Sequence, residues 1–186
     1  MNYTQQELES LGFKSIGKNV KVSKLASIYS PEKISIGSNV RIDDFCIISA
    51  GAGGISIGDY VHIAAYCSLI GAAEITIESF VGISSRVSVY SSSDDYTGEF
   101  LTNPTVPMEF RRVHTERVTL KKHVLVGAGS VILPGVVLSE GVSVGALSKV
   151  TKSFEEFLIV AGNPAKVIRE RKRDIKDLEI KLIKGC

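Results

Sequence analysis

The sequence has no tryptophan, two methionines and five prolines in 186 residues, and its acidic and basic side chains nearly balance, with a formal net charge of +2. So small a charge gives no reason to expect nucleic acid or an acidic membrane as a partner. No run of about 18 apolar residues occurs, so no membrane-spanning helix and no membrane insertion are predicted. The N-terminus, MNYTQQELESLGF, lacks the basic and apolar segments of a signal peptide, and we therefore predict a cytoplasmic protein.

Cysteine is scarce as well. The three cysteines, Cys46, Cys67 and Cys186, are an odd number without the spacing of a metal site, so no metal is expected. Cys46 and Cys67 fall at apolar positions of a repeat and are predicted to be reduced core residues. The chain is 44% hydrophobic and 23% charged, which is enough apolar surface for a folded core, and its length fits a single domain over residues 1–186.

What the sequence does have is an aliphatic residue at every sixth position. These anchors fall into triplets that are separated by steps of six, eight or nine residues, apart from one gap of 31: Ile16, Val22, Ile28; Ile36, Ile42, Ile48; Ile57, Ile63, Leu69; Ile77, Ile83, Val89; Leu120, Val126, Ile132; and Leu138, Val144, Val150. A small or β-branched residue follows most anchors four positions later, for example Val40, Val61 and Val81.

A period of six fits neither a helix nor a long strand, which need periods of about 3.6 and 2. It fits a very short strand followed by a tight corner, with three strands in one coil of about 18 residues. Stacked coils place each anchor on the anchor of the coil before, which is a parallel β-helix of about six coils. The longer steps are then insertions that all fall at the same corner.

The stretches IGSNVRI, IGDYVHI and VGAGSVILPGVVL carry this repeat in a form that resembles the hexapeptide-repeat acyltransferases. The resemblance covers nearly the whole chain. It implies an all-β solenoid that is left-handed, and it implies a homotrimer.

Both ends of the chain predict short helices. Thr4 followed by Glu7 is typical of an N-terminal capping box, and Ile175, Leu178 and Leu182 lie on one face of a charged C-terminal segment. We therefore expect an N-terminal helix in residues 1–13, the β-helix in 14–152 with a loop over 90–117, and an exit turn and C-terminal helix in 153–186.

The long loop leaves coil four after Val89, and a polar excursion of this length in a rigid scaffold is typical of a functional segment. Together with the closing stretch VTKSFEEFLIVAGNPAKVIRER, it resembles the small sugar O-acetyltransferases, in particular those of polysaccharide biosynthesis. The resemblance implies acetyl-CoA as co-substrate, a sugar hydroxyl as acceptor and a loop that walls an active site next to a neighbouring subunit.

Acetyl transfer to a hydroxyl needs a base, and histidine is the expected one. The resemblance places the catalytic histidine where this chain has Asp94. Two hypotheses remain open. His62 is the base and Asp94 or Asp95 orients its ring, or His114 is delivered as the base from the far end of the loop. His123 is a further candidate, although its place in the repeat matches that of the corner residues Asn19 and Asn39.

The same resemblance implies a coenzyme A groove along the last coils. The backbone of Ala128 and Ala146 would meet the pantetheine arm, with Thr151 and Lys152 beside it and Ala161 at the end of the groove. Lys166 and Arg169 would bind the adenosine phosphates through charge-assisted contacts.

Three other functions stay open. N-acetylation of an amino-sugar nucleotide needs a weaker base, which would account for the missing loop histidine. A zinc enzyme like the β-helical carbonic anhydrases needs three histidines around one metal, whereas the three here lie on different coils. A non-catalytic scaffold is the third alternative.

Overall fold

The protein is a parallel β-solenoid in a computed structural model that describes residues 1–185, so Cys186 lies outside the described residues. It begins with helix α1 (Gln5–Ser10). The strands of coils one to four follow in chain order: β1 (Ser15–Ile16), β2 (Lys21–Val22), β3 (Ser27–Tyr29), β4 (Ile34–Ile36), β5 (Arg41–Ile42), β6 (Ile47–Ala50), β7 (Ile55–Ile57), β8 (His62–Ile63), β9 (Ser68–Gly71), β10 (Ile75–Ile77), β11 (Gly82–Ile83) and β12 (Ser88–Tyr90).

The long loop interrupts the solenoid at this point and carries two strands of its own, β13 (Ser92–Asp94) and β14 (Val113–Thr115). The remaining elements are β15 (Val118–Leu120), β16 (Leu125–Val126), β17 (Val131–Ile132), β18 (Val137–Leu138), β19 (Ser143–Val144), β20 (Lys149–Val150), β21 (Leu158–Gly162), β22 (Ala165–Glu170) and helix α2 (Ile175–Lys184). Two 3-10 turns, Pro31–Lys33 and Met108–Phe110, lie in connections.

Three parallel sheets form the faces of the solenoid. The first face has the order β1-β4-β7-β10-β15-β18, the second β2-β5-β8-β11-β16-β19-β21-β22, and the third β3-β6-β9-β12-β17-β20. All pairs are parallel except β21 with β22. The chain completes six coils, and a partial seventh follows, because Phe154 bridges to Leu138 on the first face and β21 pairs with β19 on the second. The predicted β-helix is confirmed, and it matches the left-handed solenoid that the resemblance implied.

The anchors of the six-residue repeat form the core. Sixteen of them are buried, from Val22 to Val150, whereas Ile16 and Ile28 in the first coil are half-buried. Helix α1 covers that open end with the fully buried Leu8. The predicted capping box is present: the Thr4 hydroxyl accepts from the N–H of Glu7, and the Glu7 carboxylate accepts from the N–H of Thr4.

The corner between the first and second faces is a column of residues with left-handed backbone. Asn19, Asn39, Tyr60, Phe80 and His123 have φ between 55° and 63°. The comparison of His123 with the two asparagines is therefore confirmed. The side chains stack along the solenoid: the rings of Tyr60 and Phe80 have centroids 4.9 Å apart, and Phe80 and His123 follow at 5.2 Å.

The predicted insertions all lie at the corner between the third and first faces, and the long loop leaves from the same corner. Two features of the connections go beyond the sequence analysis. The loop has strands of its own, since β13 and β14 pair as an antiparallel hairpin. The exit is more than a turn, because β21 and β22 form a second hairpin that widens the second face.

Helix α2 docks beside the second face, and the carboxylate of Glu179 makes its shortest polar contacts. Glu179 bonds Lys122 Nζ at 2.6 Å and His123 Nε2 at 2.7 Å. The hydrogen bond from Lys122, joined by the one from His123, holds the pKa of Glu179 below its ordinary value despite partial burial. Ile175, Leu178 and Leu182, predicted to share a face, line the groove between α2 and the solenoid. Within residues 1–185, no helix is long and apolar enough to cross a membrane.

Candidate active site

The loop hairpin lines a cavity that contains several ionisable side chains. Ser93 pairs with His114 and Asp94 with Val113 in the hairpin. The cavity has a volume of about 500 Å³ and is lined by Ser93, Asp94, Asp95, Tyr96, Thr97, Glu99, Arg112, Val113, His114 and Thr115. The structure therefore brings together three of the four predicted catalytic residues, Asp94, Asp95 and His114.

The two aspartates differ in how their oxygens are used. Asp94 is half-buried, and its Oδ2 accepts one long bond, 3.3 Å, from the N–H of Asn103. The Asp95 carboxylate accepts from the Thr97 hydroxyl at 2.8 Å and from the N–H groups of Gly98 and Phe100 at 3.0 and 3.4 Å. These hydrogen bonds outweigh burial and hold the pKa of Asp95 below its ordinary value. Asp95 thus holds the loop tip, while Asp94 retains capacity for a ligand.

The two candidate histidines, His62 and His114, lie in different parts of the subunit. His114 is 62% exposed on β14, with Nε2 3.4 Å from a carboxylate oxygen of Glu116. His62 begins β8 on the second face, away from the corner where the loop leaves, and does not line the hairpin cavity of its own chain. Within the described chain its Nε2 meets Asp43 Oδ2 at 2.9 Å. The predicted pairing of His62 with Asp94 or Asp95 therefore stays a prediction that requires the loop of another subunit.

Both carboxylate oxygens of Asp43 have a hydrogen-bond partner. Its other oxygen lies 2.6 Å from Nε of Arg41. Although burial opposes it, the hydrogen bonds from His62 and Arg41 keep the pKa of Asp43 below its ordinary value. The Asp43 carboxylate is consequently an anionic partner that fixes the His62 ring on an exposed part of the second face.

His123 has a structural environment. It is 8% exposed, stacked on Phe80 and bonded to Glu179. A ring enclosed in this way, with Nε2 bonded to Glu179, holds α2 against the corner.

The predicted coenzyme residues fall at two corners. Ala128 and Ala146 lie at the end of the second face, where the strand register continues from Val126 and Val144 through glycines to these two alanines. Ala161 follows one coil later, and an added Cβ on Gly145 would meet its Cβ at 2.9 Å. Lys166 pairs with Ala161 across the exit hairpin. These four residues therefore share one corner, walled by small side chains.

The backbone at this corner has free donors. Within residues 1–185, no hydrogen bond uses the N–H of Ala128 or of Ala146. Such N–H groups could bind the amide carbonyls of a pantetheine arm.

The other three coenzyme residues are elsewhere in the subunit. Thr151 and Lys152 follow β20 at the end of the third face, and Lys152 Nζ lies 5.8 Å from the centroid of the Phe154 ring. Arg169 pairs with Ile159, farther along the exit hairpin than Lys166. The seven residues therefore do not meet at one corner of the subunit.

Two further findings concern metals and thiols. Among the residues that the structure describes, no group of three histidine, cysteine or acidic side chains could hold a metal ion. Cys46 and Cys67 are free and buried, as predicted. The adjacent Cys46 thiol and burial raise the pKa of Cys67, whose Sγ donates to the carbonyl oxygen of Ser84.

Sequence reasoning did not find Arg112, which lines the hairpin cavity, because nothing in its local sequence distinguishes it from other loop arginines. It also did not find Ser84. This residue follows β11 and is half-buried, and the register of β8 with β11 places it beside Ala64, two residues from His62 on the second face.

Comparison with known proteins was made by sequence and by structure. No protein-family model matches the chain. The chain is 51% identical over 173 residues to the dTDP-4-amino-4,6-dideoxy-D-glucose acyltransferase of Escherichia coli, covering 93% of this chain and 90% of that enzyme. WbbJ of Escherichia coli (strain K12), which is named as an O-acetyl transferase of lipopolysaccharide biosynthesis, is 30% identical over 155 residues, 81% of this chain and 75% of WbbJ.

The solved structures of AntD, an N-acyltransferase from Bacillus cereus, are similar throughout. AntD in complex with dTDP and 3-hydroxybutyryl-CoA superposes with a TM-score of 0.95 and 50% identity, covering 99% of this chain and 97% of AntD. AntD variants substituted at position 94 (D94N and D94A) and at position 84 (S84T, S84C and S84A) are also solved, and this chain has aspartate and serine at the same two numbers.

Proposed function

The chain belongs to the hexapeptide-repeat acetyltransferase family, and we propose that it transfers an acyl group from coenzyme A to the amino group of a dTDP-linked 4-amino-4,6-dideoxy sugar. The observation that carries the proposal is the 51% identity to an E. coli enzyme with this activity over 93% of the chain. A match of that extent includes at least part of the long loop as well as the solenoid.

This proposal follows the second of the two acceptors considered from the sequence. A sugar hydroxyl was the first expectation, and an amino-sugar nucleotide was the alternative. The E. coli relative and AntD both favour the alternative. The likeness to WbbJ keeps O-acetylation as a second candidate. WbbJ has lower identity to this chain than the E. coli acyltransferase and matches less of it.

The reaction needs one proton acceptor. The amine nitrogen attacks the thioester carbonyl carbon, a C–N bond forms, the C–S bond breaks, and coenzyme A leaves as the thiol. The nitrogen must lose a proton on the way, and the leaving sulfur must gain one. We assign the acceptor to Asp94, whose carboxylate lines the hairpin cavity and has only one internal hydrogen bond within the described chain.

Ser84 is the second residue that we assign to the chemistry. A hydroxyl can donate to the oxyanion of a tetrahedral intermediate or pass a proton to the leaving sulfur. AntD variants have been solved with substitutions at the same two numbers, which supports the choice of Asp94 and Ser84.

Asp94 and Ser84 lie on different corners of one subunit. Ser84 ends the second face, whereas Asp94 stands on the hairpin that leaves the end of the third. A site that uses both therefore needs the loop of one subunit against the second face of its neighbour, as expected for the homotrimer implied by the family. His62 lies on the same face as Ser84, so it would reach the same site. The small-residue corner of Ala128, Ala146 and Ala161, with Lys166, would receive the coenzyme.

The test compares two acceptors that differ in one group. The purified protein is incubated with acetyl-CoA and either dTDP-4-amino-4,6-dideoxyglucose or dTDP-6-deoxyglucose, and the release of free thiol is followed. We expect turnover with the amine and a rate at least 100-fold lower with the hydroxyl analogue. The reverse preference would favour O-acetylation. No turnover with either acceptor, with acetyl-CoA or with 3-hydroxybutyryl-CoA as the donor, would refute the proposal.

A further inference from the structure

The charges around the hairpin cavity are unevenly distributed. Asp94, Asp95 and Glu99 contribute three carboxylates, and Arg112 contributes the only guanidinium among the lining residues that the structure describes. The nucleotide sugar of the proposed function also carries charges of opposite sign at its two ends. Its amine at C4 becomes cationic on protonation, and its diphosphate at C1, across the sugar ring, is an anion.

The carboxylates limit where an anion can lie. Asp94 offers an oxygen to the cavity, and the three acidic side chains would repel a diphosphate placed among them. Asp95 is already occupied by the Thr97 hydroxyl and two backbone N–H groups, so it contributes a fixed negative charge and no flexible contact. A diphosphate in this cavity must therefore approach the side that carries Arg112.

Arg112 is arranged to receive it. Its guanidinium lies over the Phe100 ring, 5.7 Å from the ring centroid, within the range of a cation–π contact. That contact uses the ring face and leaves the guanidinium N–H donors free for a bidentate contact with phosphate. No carboxylate in residues 1–185 forms an ion pair with Arg112. The other cationic candidate, His114, already faces Glu116 at 3.4 Å.

We propose that Arg112 binds the diphosphate of the nucleotide sugar and thereby directs the amine toward Asp94. The proposal rests on the proposed function and deepens it, since it names the residue that selects a nucleoside diphosphate sugar over a free amino sugar. Its physical basis is the match between a pocket with an acidic and a basic side and a substrate with a cationic and an anionic end.

The experiment measures dTDP binding by calorimetry to the wild-type protein and to the variants Arg112→Ala, Arg112→Gln and Arg117→Ala. Loss of a charge-assisted contact is expected to weaken dTDP binding about 10- to 100-fold in both Arg112 variants. Arg117 is a matched control, since it is an exposed arginine of the same loop that does not line the cavity. Its variant should bind dTDP like the wild type.

Kinetics separates phosphate binding from damage to the loop. The Arg112 variants should raise KM for the nucleotide sugar and retain most of kcat at saturation, while Asp94→Asn should lower kcat and leave the affinity for dTDP within about threefold. Inhibition by thymidine, which has no phosphate, should be the same in the wild type and in Arg112→Ala. A fall in kcat with unchanged dTDP affinity would overturn the proposal.

The failure of this proposal can be told from the failure of the proposed function. If the wild type acylates the amino-sugar nucleotide but Arg112→Ala binds dTDP normally, the phosphate assignment alone is wrong. If the wild type neither binds dTDP nor acylates any dTDP-linked amino sugar, the proposed function is wrong and the assignment falls with it.

Discussion

Asp94 stands where the family resemblance placed a histidine, and the difference is chemically informative. A free aspartate has a pKa of about 3.9 and a histidine about 6.5, so a carboxylate is the weaker base. A sugar hydroxyl needs a strong base as it attacks, because its own proton is held tightly. An amine attacks with its lone pair and becomes acidic only afterwards, so a carboxylate is sufficient. Asp94 in this cavity is therefore consistent with an amine acceptor.

Substitution of Asp94 tests this assignment. Asp94→Asn keeps the size of the side chain and removes its basicity, so kcat with the amino-sugar acceptor should fall by about 10² to 10⁴, the usual range for loss of a general base. Coenzyme A affinity should stay near that of the wild type, because the small-residue corner and Lys166, rather than Asp94, are proposed to hold the coenzyme. Steady-state kinetics and coenzyme A titration would measure both quantities.

His62→Ala is the companion measurement. His62 already has Asp43 as its partner, so we expect its removal to cost less than the Asp94 substitution. If His62→Ala were inactive and Asp94→Asn nearly normal, the first hypothesis from the sequence, in which Asp94 only orients a histidine base, would be correct and the assignment of Asp94 wrong.

The sequence could indicate some of the residues that line the cavity but not what each one does. Asp94, Asp95 and His114 were predicted from their place in the loop, and the structure brings all three to one cavity. The distinction between the two aspartates depends on the N–H groups of Gly98 and Phe100, which reach Asp95 only after the loop has turned. No local pattern describes that turn.

At the scale of elements, the same contrast separates the solenoid from its connections. The strands were predictable because one inward residue recurs eighteen times at nearly constant spacing, and stacking repeats each contact from coil to coil. The pairing of the loop hairpin was not predictable in this way. Its strands, SSD and VHT, bury no residue fully and show no apolar alternation, so their pairing is set by the closure of the loop.

Helix α2 was predicted from its apolar face, and its docking has a testable electrostatic part. Glu179→Ala removes the partner of both Lys122 and His123, and we expect the free energy of unfolding to fall by about 1 to 3 kcal/mol. Thermal or denaturant unfolding at neutral pH would measure the change. Glu170→Ala is a control, since Glu170 is exposed on β22 and has no ion pair within the described chain.

The pH dependence of this effect follows from the lowered pKa of Glu179. A carboxylate whose pKa is lower in the folded state stabilises that state at pH values above its pKa in the unfolded chain. The contribution is lost as the pH falls through the pKa of the folded state. The difference between wild type and Glu179→Ala should therefore be full at neutral pH and shrink below about pH 4.5. A difference that grew on acidification would contradict the role given to the carboxylate.

At the scale of the whole molecule, the proposed use of both Asp94 and Ser84, which lie at different corners of one subunit, predicts an active site shared between subunits. A mixture of the inactive variants Asp94→Asn and Ser84→Ala, unfolded and refolded together, should regain activity. In a random mixture, about a quarter of the sites would combine an intact Asp94 from one subunit with an intact Ser84 from its neighbour. Each variant refolded alone should stay slow.

The mixture of Asp94→Asn with Asp94→Ala is the control, because no pairing of these subunits restores the carboxylate. Rescue in the first mixture and none in the second would support a site shared between subunits. Equal inactivity of both mixtures, in a sample that sediments as a mixed trimer, would place both residues of one site in the same chain.

The central claim is that the acyl group is transferred to nitrogen, and one acceptor tests it directly. dTDP-4-amino-4,6-dideoxyglucose carries an amine at C4 and free hydroxyls at C2 and C3, so both kinds of product can form from a single substrate. The product made by the wild-type protein with ¹³C-labelled acetyl-CoA would be examined by heteronuclear NMR. We predict a correlation from the labelled carbonyl to the amide proton and to the proton on C4. A correlation to the proton on C2 or C3, with the amine unchanged, would show an ester and contradict the account.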